Sequence, residues 1–194
     1  MLKKQIFMIA GPNGAGKTTT AKFIMSQQKT IHEFINADEI ARGLAPMHPE
    51  SMALTASKLM IQRFKELLAT NQSFAFETTA AGTNYIKHLQ TAQSKGYEVH
   101  LFFLWLSSPE LAIERVASRV AQGGHNIPED TIRRRYILGM KNLYKHYLPL
   151  CNEATIMDNS LTELKKIIAE KSAMDVFSVN APKIWQQIEG IAHA

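Results

Sequence analysis

The chain has 194 residues, a formal net charge of +5, 45% hydrophobic and 20% charged residues, and one cysteine. That balance is that of a soluble globular protein, and the length suits a single domain with an ample core. It excludes an internal disulfide, because Cys151 has no partner, and a membrane helix, because no run approaches the ~18 apolar residues needed. A reducing cytoplasm is the expected setting, with Cys151 as a half-buried structural thiol.

In chain order, Met1-Leu2-Lys3-Lys4 imitates the start of a signal peptide, but the apolar run behind it stops within a few residues. Gln5–Ala10 instead reads as a short buried strand. It leads into Gly11-Pro12-Asn13-Gly14-Ala15-Gly16-Lys17-Thr18, which matches the phosphate-loop pattern G-x-x-x-x-G-K-[ST] at every specified position. A helix is expected over Lys17–Gln28, with Ala21, Ile24 and Met25 on one side. Further strands are expected at His32–Ile35, Ser73–Glu77, Glu98–Trp105 and Ala154–Met157. Helices are expected near Glu39–Leu44, Glu50–Thr70, Asn84–Lys95, Pro109–Gln122, Glu129–Lys145, Leu161–Lys171 and Pro182–Ile191. Such alternation predicts an α/β fold, one phosphate-loop domain over residues 1–194 with a parallel sheet flanked by helices.

The loop residues explain themselves physically. Glycine lets the backbone approach phosphate oxygens closely, and the N–H groups from Gly11 to Thr19 form a concave anion site at the positive end of a helix. Lys17 supplies charge to the β and γ phosphates, and the Thr18 hydroxyl suits Mg²⁺. A nucleoside triphosphate, with ATP and Mg²⁺ as the expected pair, is the ligand this segment predicts.

Other candidates stand where strands end. Asp38 follows the second strand and faces the expected phosphates; it can take the proton of an acceptor hydroxyl, or merely cap the next helix. Asn36 could provide that cap, because Asn36-x-x-Glu39 resembles a capping box. Glu77, closing the third strand, could hold Mg²⁺ through water, bind the acceptor, or simply be solvated. Thr78 and Thr79 beside it are weaker candidates for acceptor binding.

Between Pro109 and His146 seven basic residues face four acidic ones. So compact a cluster suits a few phosphates, whereas nucleic acid calls for a longer basic stripe. Arg115 and Arg119 share one helix face, and at most two of Arg133, Arg134 and Arg135 can face one site. With Gly123-Gly124 between them they fit an arginine-bearing helical lid over roughly 115–135, with Arg119 and Arg134 as catalytic candidates, or else a plain solvated face. His125 lies in the connecting loop. Asp158 and Asn159, after the last strand, either contact adenine or make a polar turn.

Taken together, these motifs resemble the zeta-toxin family of small phosphate-loop kinases. The matching pieces are Gly11–Thr19, Asn36-Ala37-Asp38-Glu39-Ile40, Phe76-Glu77-Thr78-Thr79, Gly96-Tyr97-Glu98, Ile113–Tyr136 and Asp158-Asn159-Ser160. The resemblance implies ATP-dependent phosphorylation of a hydroxyl on a nucleotide sugar, typically UDP-N-acetylglucosamine. It also implies Asp38 as base, Lys17 and Thr18 on phosphate and Mg²⁺, Glu77 near substrate, and lid arginines on the γ-phosphate. Toxicity and a small antitoxin partner follow from it as well. Asn36 departs from the family pattern, where a second acid often precedes the base, and the chain is shorter than the better-known members. A metabolite or antibiotic kinase, a nucleotide-gated binding protein and an RNA-end kinase are the rival expectations.

Overall fold

Strand β1, Lys4–Ala10, divides the molecule into its two cores. Ile6, Met8 and Ala10 enter the larger one, while Phe7 and Ile9 pack with Ala21 and Ile24 of helix α1, Lys17–Gln27. A central strand covered on both faces requires apolar residues at every position, so Ile6–Ala10 lacks polar alternation. This computed structural model describes residues 3–28, 31–124, 126–161 and 166–194.

Strands β2 (Glu33–Ile35), β3 (Phe74–Thr78), β4 (Tyr97–Trp105) and β5 (Glu153–Asp158) pair in parallel around β1. The seven-stranded sheet has the order β2-β3-β1-β4-β5-β6-β7. Helix α1 covers one face. The larger core on the other is filled from α3 (Ala53–Ala69), α4 (Ile86–Ser94), α5 (Pro109–Ala121), α6 (Glu129–Asn142) and α8 (Pro182–His193). Short helix α2 (Ala37–Leu44) follows β2, and a 3-10 turn, Pro49–Met52, leads into α3. Helix α6 ends in a π turn, Leu143–Tyr147, and the single turn α7, Leu148–Leu150, ahead of β5. Ser108 starts α5 as expected: its hydroxyl accepts from the Leu111 N–H at 3.1 Å and proline takes the first helical position.

One predicted element is overturned. The helix expected over Leu161–Lys171 is strand β6 over Lys166–Lys171, while residues 162–165 lie outside the described residues. β6 runs antiparallel to β5 and to β7, Phe177–Val179. A register shift opposite Ile156 and Met157 makes the neighbours Ile168 and Ala169 both buried. Such a bulge erases the period-2 pattern by which a strand is recognised.

Candidate active site

The phosphate loop leaves the carboxyl end of β1 between β3 and β4, where open α/β sheets hold their ligands. A Cβ at Gly11, whose φ is +140°, would lie 2.3 Å from the Leu104 carbonyl oxygen of β4, so the chain can leave the sheet there only as glycine. Pro12 and Ala15 close the loop through an N–H···O bond of 3.2 Å, and Gly14 rests against α5. Gly16, left-handed at φ 77°, stands at the N-cap of α1 and makes no side-chain cap hydrogen bond. The first-turn N–H donors are positioned for an anion.

Lys17 is buried within this loop. Its ammonium donates to the Pro12 carbonyl at 2.9 Å and stands 3.8 Å from Glu77 Oε1. Burial pulls its pKa below the ordinary lysine value; Glu77 and then Asp38 push the other way, and Arg119 and Arg135 add to the lowering. Asn13 is also buried, and its amide oxygen has no hydrogen-bond partner among the described residues. Thr19 is exposed at the rim.

Asn36 caps α2, its side-chain oxygen accepting from the Asp38 N–H at 2.8 Å. Asp38 keeps its own carboxylate exposed at the cleft. The reciprocal half of a capping box is missing, since Glu39 pairs with Arg42. Glu77 Oε2 accepts from the Thr18 hydroxyl at 2.7 Å and from the Asn36 amide at 2.9 Å. Thr78 and Thr79 line the same cleft, with hydroxyls that also accept from the Ala80 and Ala81 N–H groups.

Helix phase sorts the arginines. Arg135 lines the cleft half-buried, with Asp38 favouring its charge against the desolvation that lowers its pKa. Arg134, which the sequence put forward as catalytic, is exposed beside it, and Arg133 pairs with Glu110. A step of about 100° per residue turns only one of the three into the cleft. Arg119 lies near Lys17 from the end of α5, where Gly123 and Gly124 form a Schellman cap on the Val120 and Arg119 carbonyls, each at 2.9 Å. His125 lies outside the described residues.

Arg115, Asp158 and Asn159, expected to contact the nucleotide, each hydrogen-bond to protein groups near the phosphate loop. Arg115 donates to the Asn159 and Ser160 carbonyls, both at 2.8 Å, and Asn159 donates its amide to the Ala15 carbonyl at 2.7 Å. Asp158 accepts from the Ser160 N–H at 2.9 Å, the polar-turn alternative. Carbonyls at a strand end and in a tight loop have no ladder partner, and these side chains satisfy them. They brace the phosphate loop from beneath.

The cleft encloses about 240 Å³. Lys17, Asp38, Glu77 and Arg135 line it, together with Met60 and Tyr85. Arg42 also reaches it, four residues beyond Asp38 on α2, a spacing by which the sequence could have disclosed it. Loop donors at a helix start, a buried lysine and a hydroxyl beside a carboxylate fit a triphosphate and a hard, oxygen-seeking cation.

A sequence model of the zeta toxin family matches residues 2–164. The chain belongs to the zeta toxin family. A protein of unassigned function from Haemophilus influenzae is 32% identical over 136 residues, 70% of this chain and 94% of that protein. Among solved structures, a chain of the AvrRxo1-ORF1:AvrRxo1-ORF2 complex with sulphate ions superposes with a TM-score of 0.77 at 16% identity, over 96% of this chain and 63% of that one. This chain therefore spans under two thirds of that relative. The PezAT toxin–antitoxin system of Streptococcus pneumoniae gives 0.67 at 16% identity, over 98% of this chain and 84% of its counterpart. At such identities the structures establish a shared fold and nothing of role. No described helix is long and apolar enough to cross a membrane.

Proposed function

We propose that this chain is an ATP-dependent phosphotransferase that delivers the γ-phosphate to an alcohol hydroxyl of a small acceptor. The observation that carries it is that Lys17 of the phosphate loop and the uncapped carboxylate of Asp38 line one cleft. Magnesium ATP supplies the phosphoryl group. Lys17 and the first-turn N–H groups of α1 hold its phosphates, with Thr18 and Glu77 offering oxygens toward the cation. Asp38 orients the acceptor hydroxyl and takes its proton, and Arg135 and Arg119 offset charge as it moves toward the acceptor. Thr78 and Thr79, which line the same cleft, are acceptor contacts.

Membership of the zeta toxin family supports a nucleotide sugar such as UDP-N-acetylglucosamine as the acceptor, toxicity as the outcome and a small antitoxin protein as the partner. The similarity to the PezAT toxin–antitoxin structure adds to the case for that partner. Incubation with labelled ATP and a panel of UDP-sugars, nucleotides and dinucleotides tests the activity. Acceptor-dependent label transfer is expected; ATP binding with no transfer to any member would favour a nucleotide-gated binding protein.

A further inference from the structure

Asn36 is buried where three segments meet, and its amide is used at both ends. The oxygen accepts from the Asp38 N–H at 2.8 Å, at the start of α2. The nitrogen donates to Glu77 Oε2 at 2.9 Å, at the end of β3. That same carboxylate oxygen accepts from Thr18 at 2.7 Å, and its twin stands 3.8 Å from Lys17. One neutral side chain thus ties the helix bearing Asp38 to the carboxylate that faces the phosphate loop.

We propose that Asn36 is a positioning residue of the site, holding Glu77 on Thr18 and Lys17 and at the same time setting Asp38 at a fixed reach from them. It acts through those groups and touches no reacting atom. The proposal rests on the kinase reading, and the chemistry of the amide explains why neither a better acid nor a simpler cap would serve. Asparagine, aspartate and serine cap helices about equally well, because each offers an oxygen to a first-turn N–H. Only asparagine among them also presents a donor at the distance of Glu77. Aspartate would set two carboxylates against each other, and Glu77 would turn away from Thr18. Serine is too short to span the gap.

This separates the cap from the link experimentally. Asn36→Asp and Asn36→Ser keep the cap and should melt above Asn36→Ala, with Asn36→Asp below Asn36→Ser because it sets a second buried carboxylate against Glu77. Asn36→Ser, which adds no charge beside the phosphates, should bind ATP in the absence of magnesium with an affinity close to that of the wild type. A crystal structure of Asn36→Asp should show Glu77 rotated off the Thr18 hydroxyl. Transfer from labelled ATP to UDP-N-acetylglucosamine, or to water, should lose at least ~10-fold in kcat with the KM for ATP unchanged, the signature of misplacement. Asn36→Ala should lose both stability and turnover. A purely structural cap predicts that Asp and Ser restore turnover along with melting temperature. That result, or a Glu77–Thr18 contact retained in the Asp variant, overturns the proposal. An inactive wild-type chain would instead count against the kinase reading, and the position of Glu77 in the variant would still decide the role of Asn36.

Discussion

Asn159 donates its side-chain amide to the Ala15 carbonyl at 2.7 Å, so the turn after β5 holds the phosphate loop from a point 144 residues further along the chain. Arg115 secures the turn in its own right by binding the Asn159 and Ser160 carbonyls. These bonds tie the loop to the end of β5 and to α5. Replacing Asn159 by alanine removes one hydrogen bond and leaves a partly buried carbonyl unpaired, a cost of about 1–3 kcal/mol. ATP affinity measured by calorimetry is expected to fall by roughly 5-fold if about 1 kcal/mol of that cost is felt in binding. Unchanged affinity would show that the loop keeps its shape unaided.

Lys17→Ala should abolish phosphoryl transfer and leave the circular dichroism spectrum unaltered. Asp38→Asn should retain ATP binding and lose at least ~10²-fold in turnover, the size of general-base catalysis. Label-transfer kinetics beside ATP titrations check both. Near-normal turnover in the Asn variant would place the base elsewhere.

The arginine triplet offers a comparison within one helix. Arg135 lines the cleft and Arg134 is exposed, so Arg135→Ala should reduce kcat by about 10²-fold, the usual loss for one charge-stabilising donor. Arg134→Ala should stay close to wild type. Equal losses would mean that α6 turns about its axis when substrates bind.

Gly139 lets α6 lie against the loop that follows β3. A Cβ there would come within 2.9 Å of the Thr79 carbonyl oxygen. Overpacking of that kind costs about 1–3 kcal/mol, while alanine returns about 1 kcal/mol of helix propensity. Gly139→Ala should therefore lower the denaturation midpoint modestly, and it should lower turnover more, because Thr79 borders the cleft. A stabilised, fully active variant would contradict this.

Alkaline pH should unfold the protein through its buried acids. Burial pushes the Tyr85 and Tyr136 phenols and the Cys151 thiol up to about 12 each. A raised acid pKa means that the folded state holds protons which the unfolded chain releases. Stability is fully present below the ordinary values, 9.0 for cysteine and 10.0 for tyrosine, and is lost as pH rises from there toward 12. Melting temperatures across that interval check the sign. At neutral pH Cys151 should react with a thiol reagent only as fast as the chain opens, because the buried thiol stays protonated.

What could be read along the chain was what lies in contiguous segments. The phosphate loop is eight successive residues between a strand and a helix, and its chemistry needs no distant partner to be recognised. The parallel strands were legible because burial on both faces leaves unbroken apolar runs such as Ile6–Ala10. Asn36 announced its cap through local spacing, but its bond to Glu77 crosses 41 residues and could not be seen from either side. β6 was mistaken for a helix because a bulge, which exists only once β5 lies beside it, buries two consecutive residues.

By itself, then, the sequence determined the α/β class, the anion-binding loop and the presence of acids where the strands end. Only the tertiary structure decided which of three adjacent arginines enters the cleft, that Asn159 and Arg115 brace the loop, and that Glu77 joins Thr18 to Asn36. The physical reason is that the loop's glycine spacing, lysine and hydroxyl stand in eight successive residues, whereas helix phase and hydrogen-bond partnership are settled by the packing of segments far apart in the chain.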